Sequence, residues 1–473
     1  MKTLFILTLF HVVLGGFAFA QQALNTPFIT TWQTDNPGAS ANKQVTIPTT
    51  GTGYNYSVAW ENVNDTTISG TDGPFTGDAT LTFPQAGTYR VGISGDFPRI
   101  FFNFSGDREK LLTVEQWGSN PWQSMGSAFF GCSNLTIPAQ DVPNLANVTD
   151  MSQMFQSASS FNQPIGNWDV TNITNMSGIF RDAISFNQPI GNWDVGSVTD
   201  MSLMFLRAST FNQDIGAWNV QNVTNMLGMF TADSAFNQDI SAWNVENVTD
   251  MTLMFGGAVT FNQDIGVWNV SNVTIMAQMF LGATAFNQNL GTWNIEKVRA
   301  LFSMLDDSGL SIANYDSTLI GWAALPALQT NVTLGASNLQ YCNAEAARDT
   351  LINTFNWTIT DAGKNCGGPA TRLASEPNDV TRMTGDQENS WHSIIVYPNP
   401  ATDQFMTVFT RALAAPARWV LTDHMGQQVA RGNLAEGTTS QAISTDGLAP
   451  GTYFYRLVVG GNITSTNRIV IAR

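Results

Sequence analysis

The segment V-T-D-M-S-Q-M-F-Q-S-A-S-S-F-N-Q-P-I-G-N-W-D-V-T-N begins at Val148 and returns at Ile173, Val198, Val223, Val248 and Val273, always 25 residues on and never with an insertion. A unit this short cannot cover its own apolar face, so the six copies must stack and bury one continuous core. Within a copy, Met151, Met154, Phe155, Ala158 and Phe161 recur at spacings of three, one, three and three, the apolar stripe of a short helix, with Thr149 and Asp150 placed to cap it. Trp168 and Val170 alternate around Asp169 and the run continues to Ile173, as a short strand would, with Gly166 marking the turn between. The expected fold class is an α/β repeat solenoid with one short strand and one short helix per coil.

Stacking in register places Trp168, Trp193, Trp218, Trp243, Trp268 and Trp293 in one column and Phe161, Phe186, Phe211, Phe236, Phe261 and Phe286 in another. A row of tryptophans also suits an aromatic sugar platform, but the neighbouring Ile and Val positions are equally fixed, so interior packing is preferred. Asn162, Asn187, Asn212, Asn237, Asn262 and Asn287, each followed by Gln, form a polar column, read as turn and ladder hydrogen bonding rather than ligand contact.

Positions that vary between copies face water. Residues 148–297 hold twelve acids, three bases and no histidine. Asp214, Asp239 and Asp264 share one position in three consecutive copies, and Asp150, Asp200 and Asp250 recur at another. Carboxylates one rung apart repel unless separated, screened or bridged by a cation, so calcium at Asp214, Asp239 and Asp264 is one expectation. A solvated acidic edge or a set of caps is the other and is preferred; no further cofactor is expected.

Residues 1–20 read as a signal peptide: Met1 and Lys2 give a positive start, Leu4 to Ala20 is apolar, and Ala18-Phe19-Ala20 precedes Gln21 as a small-x-small cleavage site. Residues 21–115 read as a small β-rich domain, 116–147 as a degraded copy that caps the first coil, 148–297 as the six repeats and 298–366 as the opposite cap. A linker over 367–391 and a compact β-sandwich over 392–473 complete the chain. In an exported chain Cys342 and Cys366 are expected to pair as a disulfide, and Cys132 reads as a buried thiol whose pairing the sequence leaves open. No later run reaches the roughly 18 apolar residues a spanning helix needs. The net charge of -16 repels phosphate backbones and anionic lipid, which argues against nucleic acid and membrane surfaces as partners.

The run W-D-V-x-x-V-T-x-M-x-x-M-F-x-x-A-x-x-F-N-Q resembles the repeat of BspA-like surface proteins and of a mycoplasma-type lipoprotein repeat family. That resemblance implies a leucine-rich-repeat-like surface molecule active in adhesion. The tail resembles the sorting domain of the type IX secretion route through Val396-Tyr397-Pro398-Asn399-Pro400-Ala401, Asp423 to Gly426, Leu448-Ala449-Pro450-Gly451-Thr452-Tyr453 and the closing Arg468 to Arg473. It implies an address read by the type IX machinery and a secreted or outer-surface location.

Once the leader is removed, the histidines that remain are His392 and His424, both in or beside the tail, which excludes a histidine triad, zinc site or general base from the body. Neither a phosphate-cradling G-x-x-x-x-G-K-[ST] segment nor an H-E-x-x-H helix occurs. Glycoside hydrolysis needs only two carboxylates, and Asp72, Asp78 and Asp96 offer no spacing that singles out a pair. The sequence thus reads as a non-catalytic, monomeric surface protein that binds an extracellular protein or glycan through the exposed edges of its repeats. The alternative is a carbohydrate-binding accessory protein of a surface polysaccharide-degrading system.

Overall fold

The structure is a computed structural model that describes residues 26–367 and, between 394 and 471, seven strands with short stretches joining them. The chain divides into two compact units, residues 1–368 and 369–473. The signal peptide, the linker beyond residue 367, and His392, Pro398, Asn399, Pro400 and His424 lie outside the described residues.

The first unit opens with β1 (Phe28–Gln33), β2 (Gln44–Ile47), β3 (Asn55–Asn62), β4 (Ser69–Phe75), β5 (Ala79–Thr82), β6 (Thr88–Asp96) and β7 (Leu111–Gln116). Five of them form an antiparallel sheet in the order β4-β3-β6-β1-β7, and β2 pairs separately with β5. Alternation makes one face apolar: Tyr56, Val58 and Trp60 of β3 and Tyr89, Val91 and Ile93 of β6 point inward. A buried Asp107 knots the 40–46 segment down, accepting from the N–H of Ser40 at 2.9 Å and of Thr46 at 2.6 Å. The core of this sheet does not close on itself. One apolar cluster runs from Phe28 through every repeat to Trp357.

None of the six copies contains a helix or a strand, so the expected α/β solenoid is overturned. Regular structure among the described residues is mainly antiparallel sheet, with two α-helices that both lie beyond the repeats. The physical reason is where the backbone N–H groups go. In the first copy Met154, Gln156 and Ala158 donate to the carbonyls of Met151, Gln153 and Phe155, closing three overlapping turns. The N–H groups between them, on Met151, Gln153, Phe155 and Ser157, donate instead to Asn175, Ser177, Ile179 and Arg181 of the next copy. A helix would need all of these donors inside its own coil.

That alternation requires left-handed backbone twice per copy, with φ of 57° at Gln153 and 56° at Ser157, and it recurs at the equivalent pairs from Gly178 and Asp182 to Gln278 and Gly282. The apolar spacing serves the turns as well as it would a helix, since Met151, Met154, Phe155, Ala158 and Phe161 are all buried. Asp150 caps a turn rather than a helix: its Oδ1 accepts the N–H of Ser152 at 3.0 Å, and Asp200 and Asp250 do the same for Ser202 and Thr252 at 2.8 Å. Successive copies meet there through single parallel bridges from Asp150 to Asn175, Asp200, Asn225 and Asp250.

Both ends of the stack are closed. At the first, Trp117 sits edge-on against Trp168 at 5.4 Å and Phe129 stacks on Phe155 at 5.9 Å. At the second, α1 (Ile312–Ala323), capped by the Ser311 side chain, brings Trp322 and Asn314 into the places a seventh copy would fill. Gly321 is needed for that approach, because a β-carbon there would run into the backbone of Gly291. Beyond it β8 (Thr333–Ala336) and β9 (Thr358–Asp361) pair in parallel around α2 (Glu345–Phe355), so a helix joined to a strand occurs in the cap and not in the repeats. Cys342 and Cys366 form a disulfide with Cα atoms 4.9 Å apart, and Cys132 is a buried free thiol.

The second unit contains β10 (Ile394–Tyr397), β11 (Gln404–Phe409), β12 (Ala417–Asp423), β13 (Gln428–Leu434), β14 (Ser440–Ser444), β15 (Gly451–Val459) and β16 (Asn462–Ile471). They make two antiparallel sheets, β10-β11-β14 and β13-β12-β15-β16, with Leu421, Tyr455, Leu457 and Ile469 in a core of their own. Tyr397 ends β10, Gly451 opens β15, and the Tyr453 hydroxyl donates to the Ala449 carbonyl at 2.8 Å.

Candidate interaction edge of the repeats

Most residues that recur in every copy turn inward or bond to the next coil. The tryptophan rings are buried in all six copies. From Trp193 to Trp293 each indole Nε1 donates to a carbonyl of the preceding coil, Ile165, Ile190, Ile215, Ile240 and Ile265 in turn, at 3.0 to 3.1 Å. The inner phenylalanines stack face to face at 5.9 to 6.2 Å. Asn162 Oδ1 accepts from the N–H of Asn187 at 2.9 Å and from Gln188 Nε2 at 3.0 Å, and the pattern repeats through Asn187, Asn212, Asn237 and Asn262. Asn287 ends the ladder by accepting the N–H of Ser311 at 2.8 Å. These side chains hold coil to coil.

What faces solvent is the stretch after the asparagines. Each of the first five coils carries a carboxylate there: Asp169 and Asp194, directly after the tryptophan, in the first two, then Asp214, Asp239 and Asp264, four residues before it, in the next three. All five are exposed, and each binds the backbone N–H two residues on, at 2.9 to 3.2 Å. The hydroxyl and N–H of Thr171 hold the Asp169 carboxyl below its ordinary value, and the N–H and hydroxyl of Ser241 do the same for Asp239. Asn219, Asn244 and Asn289 make the same turn bond where the acid is absent. Asp214, Asp239 and Asp264 are therefore turn residues on separate coils, and among the described residues no group of three or more His, Cys, Asp or Glu side chains is arranged to hold a metal ion.

Other irregular positions were not apparent from the period alone. Leu203 and Leu253 occupy left-handed sites that are glycine in Gly178 and Gly228. Gln156 is fully buried with neither amide atom hydrogen-bonded among the described residues, and Asp182 pairs with Arg207 one coil on. Asp233 is buried where five other copies have alanine. Only Asp233 carried a sequence signal, its departure from the alanine of the other five copies; the places of Leu203, Gln156 and Asp182 vary from copy to copy.

Residues 123–231 and 210–317 match the family described as Mycoplasma protein of unknown function, DUF285, and residues 395–472 match the Secretion system C-terminal sorting domain. No curated protein and no solved structure matches the chain. Among the described residues no helix is long and apolar enough to cross a membrane. The repeats are thus similar to that repeat family, and the tail addresses the chain through the type IX route to the cell surface or beyond it.

Proposed function

We propose that the mature chain is a non-catalytic binding protein of the cell exterior, which engages an extracellular partner through the carboxylate edge of its repeats. One observation carries this reading: five successive coils each hold an exposed acid in a fixed turn, while the aromatic columns behind them serve only the stack. Fixed carboxylates lose little side-chain freedom on binding, and a row of them favours partners with cationic or hydroxyl-rich surfaces.

The test is an array of matrix proteins and glycans probed with the full mature chain and with a variant in which Asp169, Asp194, Asp214, Asp239 and Asp264 are all changed to Asn. Asparagine already makes the turn bond at Asn219, Asn244 and Asn289, so the fold is expected to persist. Binding by the natural chain should weaken with salt and fall at least about tenfold in the variant, roughly 1.4 kcal/mol spread over five rim charges. Undiminished binding by the variant, or turnover of a polysaccharide, would count against the proposal.

A further inference from the structure

The fourth coil differs from its neighbours at one point. The position held by Ala158, Ala183, Ala208, Ala258 and Ala283 is Asp233 in this coil, and its side chain is completely buried. In the other five coils the inner phenylalanine closes its turn by donating its N–H to that alanine's carbonyl, from Phe161 to Ala158 at 3.0 Å through Phe286 to Ala283 at 3.0 Å. In the fourth coil the carboxyl intervenes: Asp233 Oδ1 accepts the N–H of Ala235 at 3.3 Å, and the N–H of Phe236 also turns to the side chain. Its Oδ2 has no hydrogen-bond partner among the described residues. The preceding residue, Ala232, carries a β-carbon at a left-handed φ of 53°, where the next two coils have Gly257 and Gly282.

We infer that Asp233 makes the fourth coil a pH-sensitive weak point of the stack, closed when its carboxyl is neutral and locally opened when it is charged. The residues in its column on the adjoining coils are Ala208 and Ala258, and Phe230 and Phe236 flank it in its own coil. The charged residue beside that column, Arg207, is paired with Asp182. Burial, which favours the neutral acid, outweighs the two N–H groups that favour the anion, and the carboxyl is pushed well above its ordinary value. Because the folded-state value lies above the unfolded one, the contribution to stability is complete below about pH 4 and is lost as pH rises through the raised value.

The experiment is hydrogen exchange followed by mass spectrometry on the full mature chain at pH 5 and pH 8, corrected for the intrinsic exchange rate. Peptides covering 226–236 should lose protection at the higher pH, by about tenfold for each pH unit of that interval lying below the raised folded value, relative to peptides covering 176–186 and 276–286. Asp233→Ala should remove the difference and raise protection at pH 8; Asp233→Asn should remove the pH dependence alone. Equal protection of all coils at both pH values, or a pH-dependent loss that survives in Asp233→Asn, would overturn the inference.

Discussion

Replacing Trp243 by alanine is expected to lower the unfolding free energy of the first unit by about 3 to 5 kcal/mol, a large part of what such a domain has to lose. The ring is nearly fully buried, lying between Trp218 at 6.5 Å and Trp268 at 6.4 Å and against Phe230 at 6.3 Å. Removing it leaves a cavity in mid-column and strips the Ile215 carbonyl of the indole N–H that meets it at 3.1 Å. Trp243→Phe loses the bond but keeps part of the packing, so its effect should be smaller, about 1 to 2 kcal/mol. Denaturant unfolding followed by tryptophan fluorescence separates the two. A Trp243→Ala protein as stable as the natural one would show that the rings do not carry the stack.

Asp316→Ala should be about as damaging, at roughly 3 to 5 kcal/mol, for a different reason. Asp316 lies on α1, almost fully buried, and its carboxylate accepts three successive backbone N–H groups, those of Cys342 at 2.9 Å, Asn343 at 2.8 Å and Ala344 at 3.1 Å. These are the donors that lead into α2, and no other side chain caps that helix, since Ala344 stands at its N-cap. Cys366 is already exposed and Cys342 half-buried, and without the carboxylate the loop holding Cys342 comes free of α1 and its sulfur opens further to reductant. Reduction of Cys342–Cys366 by dithiothreitol under native conditions should become at least about tenfold faster, the kinetic counterpart of 1.4 kcal/mol of lost local protection. An unchanged reduction rate would mean that the cap is held by its apolar contacts alone.

The sequence showed the period, the inward columns and the pairing partner of Cys342, because stacking forces each of them to repeat or to lie close. It misled on local conformation. Spacings of three, one, three and three fit a helix face, and they fit a chain of overlapping turns equally well, since both return a side chain to the same side after three or four residues. The distinction lay in left-handed backbone at two positions four apart. Glycine marks these at Gly178, Gly228, Gly257 and Gly282, but Gln153, Asp182, Leu203 and Arg207 hide them. The strand expected around Trp168 failed for a related reason: the alternation of Trp168 and Val170 comes from side chains entering a stack, not from a ladder with a neighbouring strand. At the edge, the recurrence of Asp214, Asp239 and Asp264 left a shared cation and a set of caps both open, with caps preferred. The structure shows each of them closing a turn on the N–H of the residue two further on, Gly216, Ser241 or Gly266.

The stack depends on coils that bond to one another at a fixed 25-residue interval. Thermal unfolding followed by circular dichroism, comparing a chain lacking residues 198–222 with one lacking residues 198–209, tests it most directly. Removal of one whole copy keeps every column in register and should leave a single cooperative transition only a few degrees lower. Removal of half a copy puts Trp218 at the place equivalent to Arg181 and Phe230 at the place equivalent to Trp193, and should abolish the transition. Two deletions that melt alike, whether both fold or both fail, would contradict it.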